Sequence, residues 1–268
     1  MEQTKELLNA KEEVAPLSHY EILTRDAERY NLSQGNLKEF DCPICKNKGY
    51  IQKVIFEEMY NDYVSVVTKC KCMNKRITLN KAKKSGLGEY INKRFDDYIA
   101  TEEWQKRIKQ KALDYVKNGN DKWFITLGQS GAGKTLISCI VASYLLFVEN
   151  QDVIYITWTD FISKLKRDMM SDQTNEVSEY LDSIKNVDVL YIDELLKKYN
   201  DTDLKYIIEI INYRYTNNKK TIISSEKNID ELLDIDEATF SRMVEKADEY
   251  VINIAKDRHK NYRLKNTL

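Results

Sequence analysis

The 268-residue chain is 42% hydrophobic and 32% charged, with 42 Lys and Arg against 43 Asp and Glu and a net charge of -1. It can bury the core of one medium domain plus a small accessory one, and no run of about 18 apolar residues argues for a membrane span. The near-neutral total does not exclude nucleic acid, because local basic patches carry that signal. Met1 to Glu6 lacks the apolar stretch of a secretory signal, so the expected location is the cytoplasm.

Taken in chain order, residues 1–40 read as a polar helical segment, clearest over Leu17 to Tyr30. Residues 41–85 hold four of the five cysteines in two close pairs, Cys42-Pro43-Ile44-Cys45 and Cys70-Lys71-Cys72. Between the pairs, Tyr50 to Phe56 and Tyr63 to Thr68 are β-rich, with a turn near Asn61-Asp62. In a chain without a signal peptide such pairs favour metal over disulfides. Four thiolates would close a tetrahedral site for structural zinc at Cys42, Cys45, Cys70 and Cys72, although the second pair has one intervening residue where two are usual. Reduced cysteines in a small core are the bland alternative. Cys139 reads as buried packing, and His19 and His259 as surface residues.

Met73 to Lys84 reads as a basic helix, and Ser85-Gly86-Leu87-Gly88 as a linker opening the domain at 86–268. After a helix over Glu102 to Asn118, apolar strands alternate with helices. Strands are expected at Trp123 to Leu127, Val153 to Thr157, Val187 to Ile192, Thr221 to Ser224 and Tyr250 to Ile254. Helices are expected at Lys134 to Glu149, Phe161 to Met170, Leu204 to Thr216, Ile229 to Leu233 and Glu237 to Lys246. The alternation predicts an α/β fold, a parallel sheet flanked by helices.

Three of only eight glycines fall in Gly128-Gln129-Ser130-Gly131-Ala132-Gly133-Lys134-Thr135, a full match to the P-loop pattern between a strand and a helix. The backbone amides of Gly128 to Thr135 and of the adjoining Leu136 would face phosphates, Lys134 would neutralise the β- and γ-phosphates, and Thr135 would ligate magnesium. The run Val187-Asp188-Val189-Leu190-Tyr191-Ile192 ends in Asp193-Glu194, 59 residues after Lys134 (193 minus 134). A buried strand delivers such acids to the carboxyl edge of the sheet. Asp193 would hold magnesium and Glu194 would polarise the attacking water. The Asp-Glu pair favours the AAA+ class, and the absence of an Asn-Lys-x-Asp sequence favours ATP over GTP. A polar residue at the end of a later strand would sense the γ-phosphate, with Ser225 and Glu226 as candidates.

The motif order resembles the replicative helicase loaders of the DnaC/DnaI type, over roughly residues 41–268, with a core shared by IstB-type transposition ATPases. Thr221 to Asp230, Ile235 to Arg242, Lys260 to Leu264 and the cysteine cluster carry the more specific likeness. The resemblance implies an arginine finger at Arg242 acting on a neighbouring subunit, a phosphate-reading arginine at Arg263, and a zinc-bearing region that binds helicase. Either arginine is otherwise a surface residue. Relatives commonly end the sensor strand in Asn where Glu226 stands, which puts the hydrolysis rate in doubt.

Residues 69–84 include Lys69, Lys71, Lys75, Arg76, Lys81, Lys83 and Lys84 without an acid, and Lys164, Lys166 and Arg167 form a second cluster. The first is a solvated face or a contact to DNA phosphates or to an acidic face of a helicase, and the second a solvated face or a contact to phosphates of single-stranded DNA. The expected protein is therefore a slow ATPase with magnesium and zinc, a loader of a hexameric helicase that self-assembles with ATP on single-stranded DNA. A transposition helper and an ATP-binding adaptor with negligible turnover are the alternatives.

Overall fold

The structure, a computed structural model, describes residues 17–170 and 174–264. They form two compact units that divide in sequence at Ile77 and Thr78, within helix α2.

In the first unit, helix α1, His19–Leu32, starts at Ser18, whose hydroxyl accepts from the Glu21 amide at 3.3 Å while Glu21 reaches back to the Ser18 amide at 2.8 Å. This reciprocal cap satisfies two orphan amides of the first turn. Strands β1, Tyr50–Glu57, and β2, Asp62–Lys69, pair antiparallel from Tyr50 opposite Lys69 to Glu57 opposite Asp62. Asn31 of α1 treats the hairpin edge as a strand neighbour would, donating to the Gln52 carbonyl at 2.8 Å and accepting from its amide at 2.9 Å. Helix α2, Cys72–Lys84, follows directly. Its basic run is not one solvated face. Arg76 is buried, donating to Glu39, the Phe40 carbonyl and the Asn47 side chain, while Lys81 pairs with the exposed Asp152 at 3.2 Å within the second unit.

The second unit carries a five-stranded parallel sheet in the order β4-β5-β6-β3-β7, built from β3 Phe124–Gly128, β4 Val153–Thr157, β5 Val189–Asp193, β6 Lys220–Ser225 and β7 Val251–Ile254. Helices α3, Glu103–Asn118, and α4, Lys134–Phe147, belong to one face. Helices α5, Trp158–Met170, α6, Thr174–Asn186, α7, Asp201–Thr216, α8, Ile229–Leu233, and α9, Glu237–Ala247, belong to the other. Strand alternation divides the core between them. Phe124 packs with Ala112, Ile137 and Ile140, whereas Ile125 and Leu127 pack with Trp158, Phe161 and Ile207. Every residue of β3 and β5 is buried, as continuous apolar strands covered on both faces require.

Two details depart from the sequence reading. Helix α6 arises in a stretch to which no element was assigned. Ser85-Gly86-Leu87-Gly88 is no free linker. Ser85 and Leu87 are buried, the Ser85 carbonyl accepts from the Tyr155 amide at 2.6 Å, and Gly88–Asn92 forms a 3-10 turn. A Cβ at Gly86 would meet the Tyr155 carbonyl oxygen at 2.8 Å, so the glycine there serves close packing on β4. Asparagine supplies the turns after the last glycine, Asn200 capping α7 and Asn218 adopting φ 51°.

Candidate functional site

The parallel sheet brings the carboxyl ends of β3, β5 and β6 together, since Leu127 lies opposite Ser225 and Ile192 opposite Ile223. Beyond them opens a cavity of about 420 Å³. Its floor is Ser130 to Leu136, and its wall includes Asp193, Glu194, Ser224, Ser225 and Glu226.

The loop's shape depends on two glycines above all. Gly128 has φ 95°, and a Cβ there would strike the Ile254 carbonyl oxygen at 2.0 Å. Gly131 has φ 72°, and its Cβ would strike the Asn261 side chain at 1.9 Å. The loop is tied down from outside: the Gln129 amide donates to the Ile254 carbonyl at 3.0 Å and the Tyr262 amide to the Gly131 carbonyl at 2.9 Å. Gly128 and Gln129 turn away from the cavity and line a separate depression with Lys227, Lys256 and Arg258.

Lys134 is buried and donates to the Gly128 and Gln129 carbonyls at 2.9 and 2.7 Å. Burial pushes its pKa below the usual lysine value, while the negative charges of Glu226 and Asp193 oppose that shift. Asp193 is the hub. Its Oδ1 accepts from the Thr135 hydroxyl at 3.2 Å, from Ser224 and from the Glu194 amide at 3.0 Å, and its Oδ2 accepts from the Tyr155 hydroxyl at 3.1 Å. Burial pushes the Tyr155 phenol up, and Asp193 adds to the effect, so Tyr155 stays a donor. Glu194 has φ 54° and pairs with Lys197 at 2.7 Å. A hydroxyl and a carboxylate oxygen side by side are hard donors that fit magnesium.

The two sensing candidates part company. The Ser225 hydroxyl donates to the Leu195 carbonyl at 2.7 Å, while Glu226 accepts from the Ser130 hydroxyl of the loop at 2.8 Å. Ser224, overlooked in the sequence, is the serine bonded to Asp193. The sequence reading also missed Tyr90, Asp97, Tyr98 and Ile99, from the segment before α3, and Gln105, from its first turn, which close the cavity. No motif marks that wall; only Tyr98 packed 3.1 Å from where a Gly133 Cβ would sit reveals it. Arg263 lines the cavity, whereas Arg242 is exposed on α9 outside it and donates to Asn212 at 2.7 Å.

The basic cluster on α5 is largely spoken for: Lys164 pairs with Asp168 at 2.6 Å and Lys166 with Asp203 at 2.7 Å. Arg167 is mostly exposed.

In the first unit, the four sulfurs of Cys42, Cys45, Cys70 and Cys72 are buried and lie within 4.8 Å of one another. Cys42 and Cys70 are 3.8 Å apart and Cys45 and Cys72 3.5 Å, too long for disulfides. Tetrahedral zinc–thiolate bonds of about 2.3 Å set sulfurs about 3.8 Å apart, so the donor set fits zinc. Burial opposes ionisation of Cys45, Cys70 and Cys72, yet the Gly49 amide and the neighbouring thiols draw Cys45 down while Cys72 is driven up. Thiolates this close cannot all ionise without a cation among them.

Residues 93–246, more than half of the chain, match the bacterial DnaA ATPase domain. The chain belongs to that family. A helicase loader is among its further relatives. The replicative helicase loader DnaC of Buchnera aphidicola subsp. Baizongia pistaciae is 27% identical over 59% of this chain and 63% of its own length. A protein named only YqaM, from Bacillus subtilis strain 168, is 27% identical over 84% of this chain and 86% of its own. Among solved structures, the DnaC helicase loader superposes with a TM-score of 0.51 at 24% identity, covering 63% of this chain and 99% of that one. The resemblance to DnaC/DnaI-type loaders and the parallel sheet flanked by helices therefore hold for this member of the DnaA ATPase family. Among the described residues no helix is long and apolar enough to cross a membrane.

Proposed function

We propose that the chain is an ATP-dependent loader of a replicative helicase, with the cavity above α4 as its nucleotide site. The observation that carries the ATP reading is the meeting of Lys134, Thr135 and Asp193 in one cavity, with Thr135 Oγ1 3.2 Å from Asp193 Oδ1. Loop amides and the start of α4 receive the phosphates, and Lys134 exchanges its carbonyl partners for phosphate oxygens. Thr135 and Asp193 would hold magnesium, which supplies charge neutralisation across the β- and γ-phosphates. Glu194 orients and deprotonates the attacking water once it leaves Lys197. Arg263 reads the phosphates from within the chain, and Arg242, exposed and outside the chain's own cavity, completes a neighbouring subunit's site. The relatives named for helicase loading support a hexameric helicase as partner, and Cys42, Cys45, Cys70 and Cys72 would hold zinc in the region that binds it. Single-stranded DNA is the second partner, with Arg167 the α5 cation best placed to meet phosphate.

Lys134→Ala should abolish measurable ATP binding, and Glu194→Gln should keep ATP while losing turnover at least a hundredfold. In a pull-down with the full chain, the wild type should retain a hexameric helicase. A chain that binds ATP normally without Lys134, or that captures no helicase at any nucleotide state, would overturn the corresponding half of the reading. The Lys197–Glu194 pair favours one second reading, an adaptor with negligible turnover. Wild-type and Glu194→Gln proteins would then behave alike.

A further inference from the structure

Glu226 is the most sparsely held acid of the cavity. Asp97 pairs with Lys93 at 3.8 Å and Glu194 with Lys197 at 2.7 Å; Asp193 and Glu226 have no ion-pair partner among the described residues, but Asp193 accepts from three side-chain hydroxyls and the Glu194 amide. The one polar contact of Glu226 is neutral, the Ser130 hydroxyl at 2.8 Å. The placement follows from the sheet. Because Leu127 lies opposite Ser225, the residue after β6 emerges beside the limb Gly128 to Ser130, the same limb whose carbonyls hold Lys134. A carboxylate bonded only to a neutral hydroxyl therefore stands near the one lysine that lines the cavity. Resting on the nucleotide reading above, we infer that Glu226 is a specificity-determining residue that penalises the terminal phosphate of ATP and shifts the single chain toward nucleoside diphosphate.

The argument is one of like charges. A P-loop lysine serves the β- and γ-phosphates, so an anion held beside it meets the γ-phosphate more closely than the α- and β-phosphates, and ADP escapes most of the repulsion. Glu226 is also the foremost charge that favours the ammonium form of Lys134, which makes it a competitor for the same cation. The bond from Ser130 fixes the carboxylate without discharging it. A cation brought by a neighbouring copy or by the helicase would relieve the penalty, which couples ATP retention to assembly.

The test is equilibrium titration of the full chain with magnesium and either ADP or a nonhydrolysable ATP analogue. Glu226→Gln is isosteric and keeps an acceptor for Ser130, so it should tighten the triphosphate about tenfold and ADP about twofold, a shift of about fivefold in their ratio. Raising salt to 1 M should shrink that shift, whereas a merely structural role would not respond to salt. An unchanged ratio in Glu226→Gln, or a weaker triphosphate, overturns the inference while the nucleotide reading stands. If Lys134→Ala binds both nucleotides as wild type does, the nucleotide reading itself fails, and this inference falls with it.

Discussion

The two units reach stability by different routes. The second hides apolar side chains on both faces of its sheet, with all residues of β3 and β5 buried. The first offers a two-stranded hairpin, one helix against it and a core in which four cysteines stand with Phe40 and Ile51. Much of its apolar surface stays in water, including Leu32, Met59 and Tyr60, which are 75%, 81% and 69% exposed. An isolated hairpin is marginal at best, so the smaller unit needs a cross-link that the larger one does not.

Removing the proposed zinc, which would supply that cross-link, gives the largest expected effect. Structural zinc in small modules contributes roughly 10 kcal/mol or more of folding free energy. Chelation, or Cys45→Ser, should therefore melt the hairpin unit and leave the sheet unit's thermal transition in place. Hydrogen exchange resolved by segment would read both. Equal protection of β1 and β2 with and without chelator would break the comparison.

The second change attacks the sheet unit alone. Arg214 is fully buried, and its guanidinium donates to the Thr221 side chain at 3.0 Å and to the carbonyls of Ile184, Lys185, Val187, Asp188 and Lys220. It ties the end of α6 to the starts of β5 and β6, where helix carbonyls welcome a cation. Arg214→Met fills the volume but strands those acceptors, at a cost on the order of 3–5 kcal/mol. Calorimetry should show one transition falling sharply and the hairpin unit unmoved.

Legibility divides along a related line. Strands, the phosphate loop and the Asp193–Glu194 pair were readable because each is written in neighbouring residues: apolar runs, glycine spacing, acids at a strand end. The contacts that finish the site join distant segments. Tyr155 and Ser224 reach Asp193 across β4 and β6. Alternation along β6 says that Ser224 and Ser225 face opposite ways, but both are buried, so no pattern of polarity tells which one turns to the hub. The wall from Tyr90 to Gln105 has no motif, and Ser85 to Gly88 looked like a linker because small residues serve tight packing as readily as freedom. Arg76, one cation in a basic run, could not be told from its solvated neighbours until Glu39 and Asn47 were seen around it.

The smallest expected effect sharpens the comparison inside the nucleotide site, where stability and activity separate. Glu194 Oε1 lies 2.7 Å from Lys197 Nζ, and the two side chains are 36% and 40% exposed. The bond to Glu194 pushes the Lys197 pKa up, so the lysine stays an ammonium at neutral pH. So exposed a pair is worth about 0.5–1 kcal/mol after screening. That is the free energy Glu194 must recover before it can act on water, which corresponds to about a two- to fivefold change in rate. Lys197→Ala should thus raise single-turnover hydrolysis by that factor while the melting temperature stays nearly constant. The left-handed backbone of Glu194, at φ 54°, is held by its own amide on Asp193 at 3.0 Å and by the Lys197 amide on its carbonyl at 3.1 Å, contacts that loss of the lysine side chain leaves in place. High salt should produce the same acceleration in the wild type and none in the variant. A fall in rate would instead assign Lys197 to the phosphates, and the ion pair with Glu194 would then be a resting contact for a lysine with work of its own.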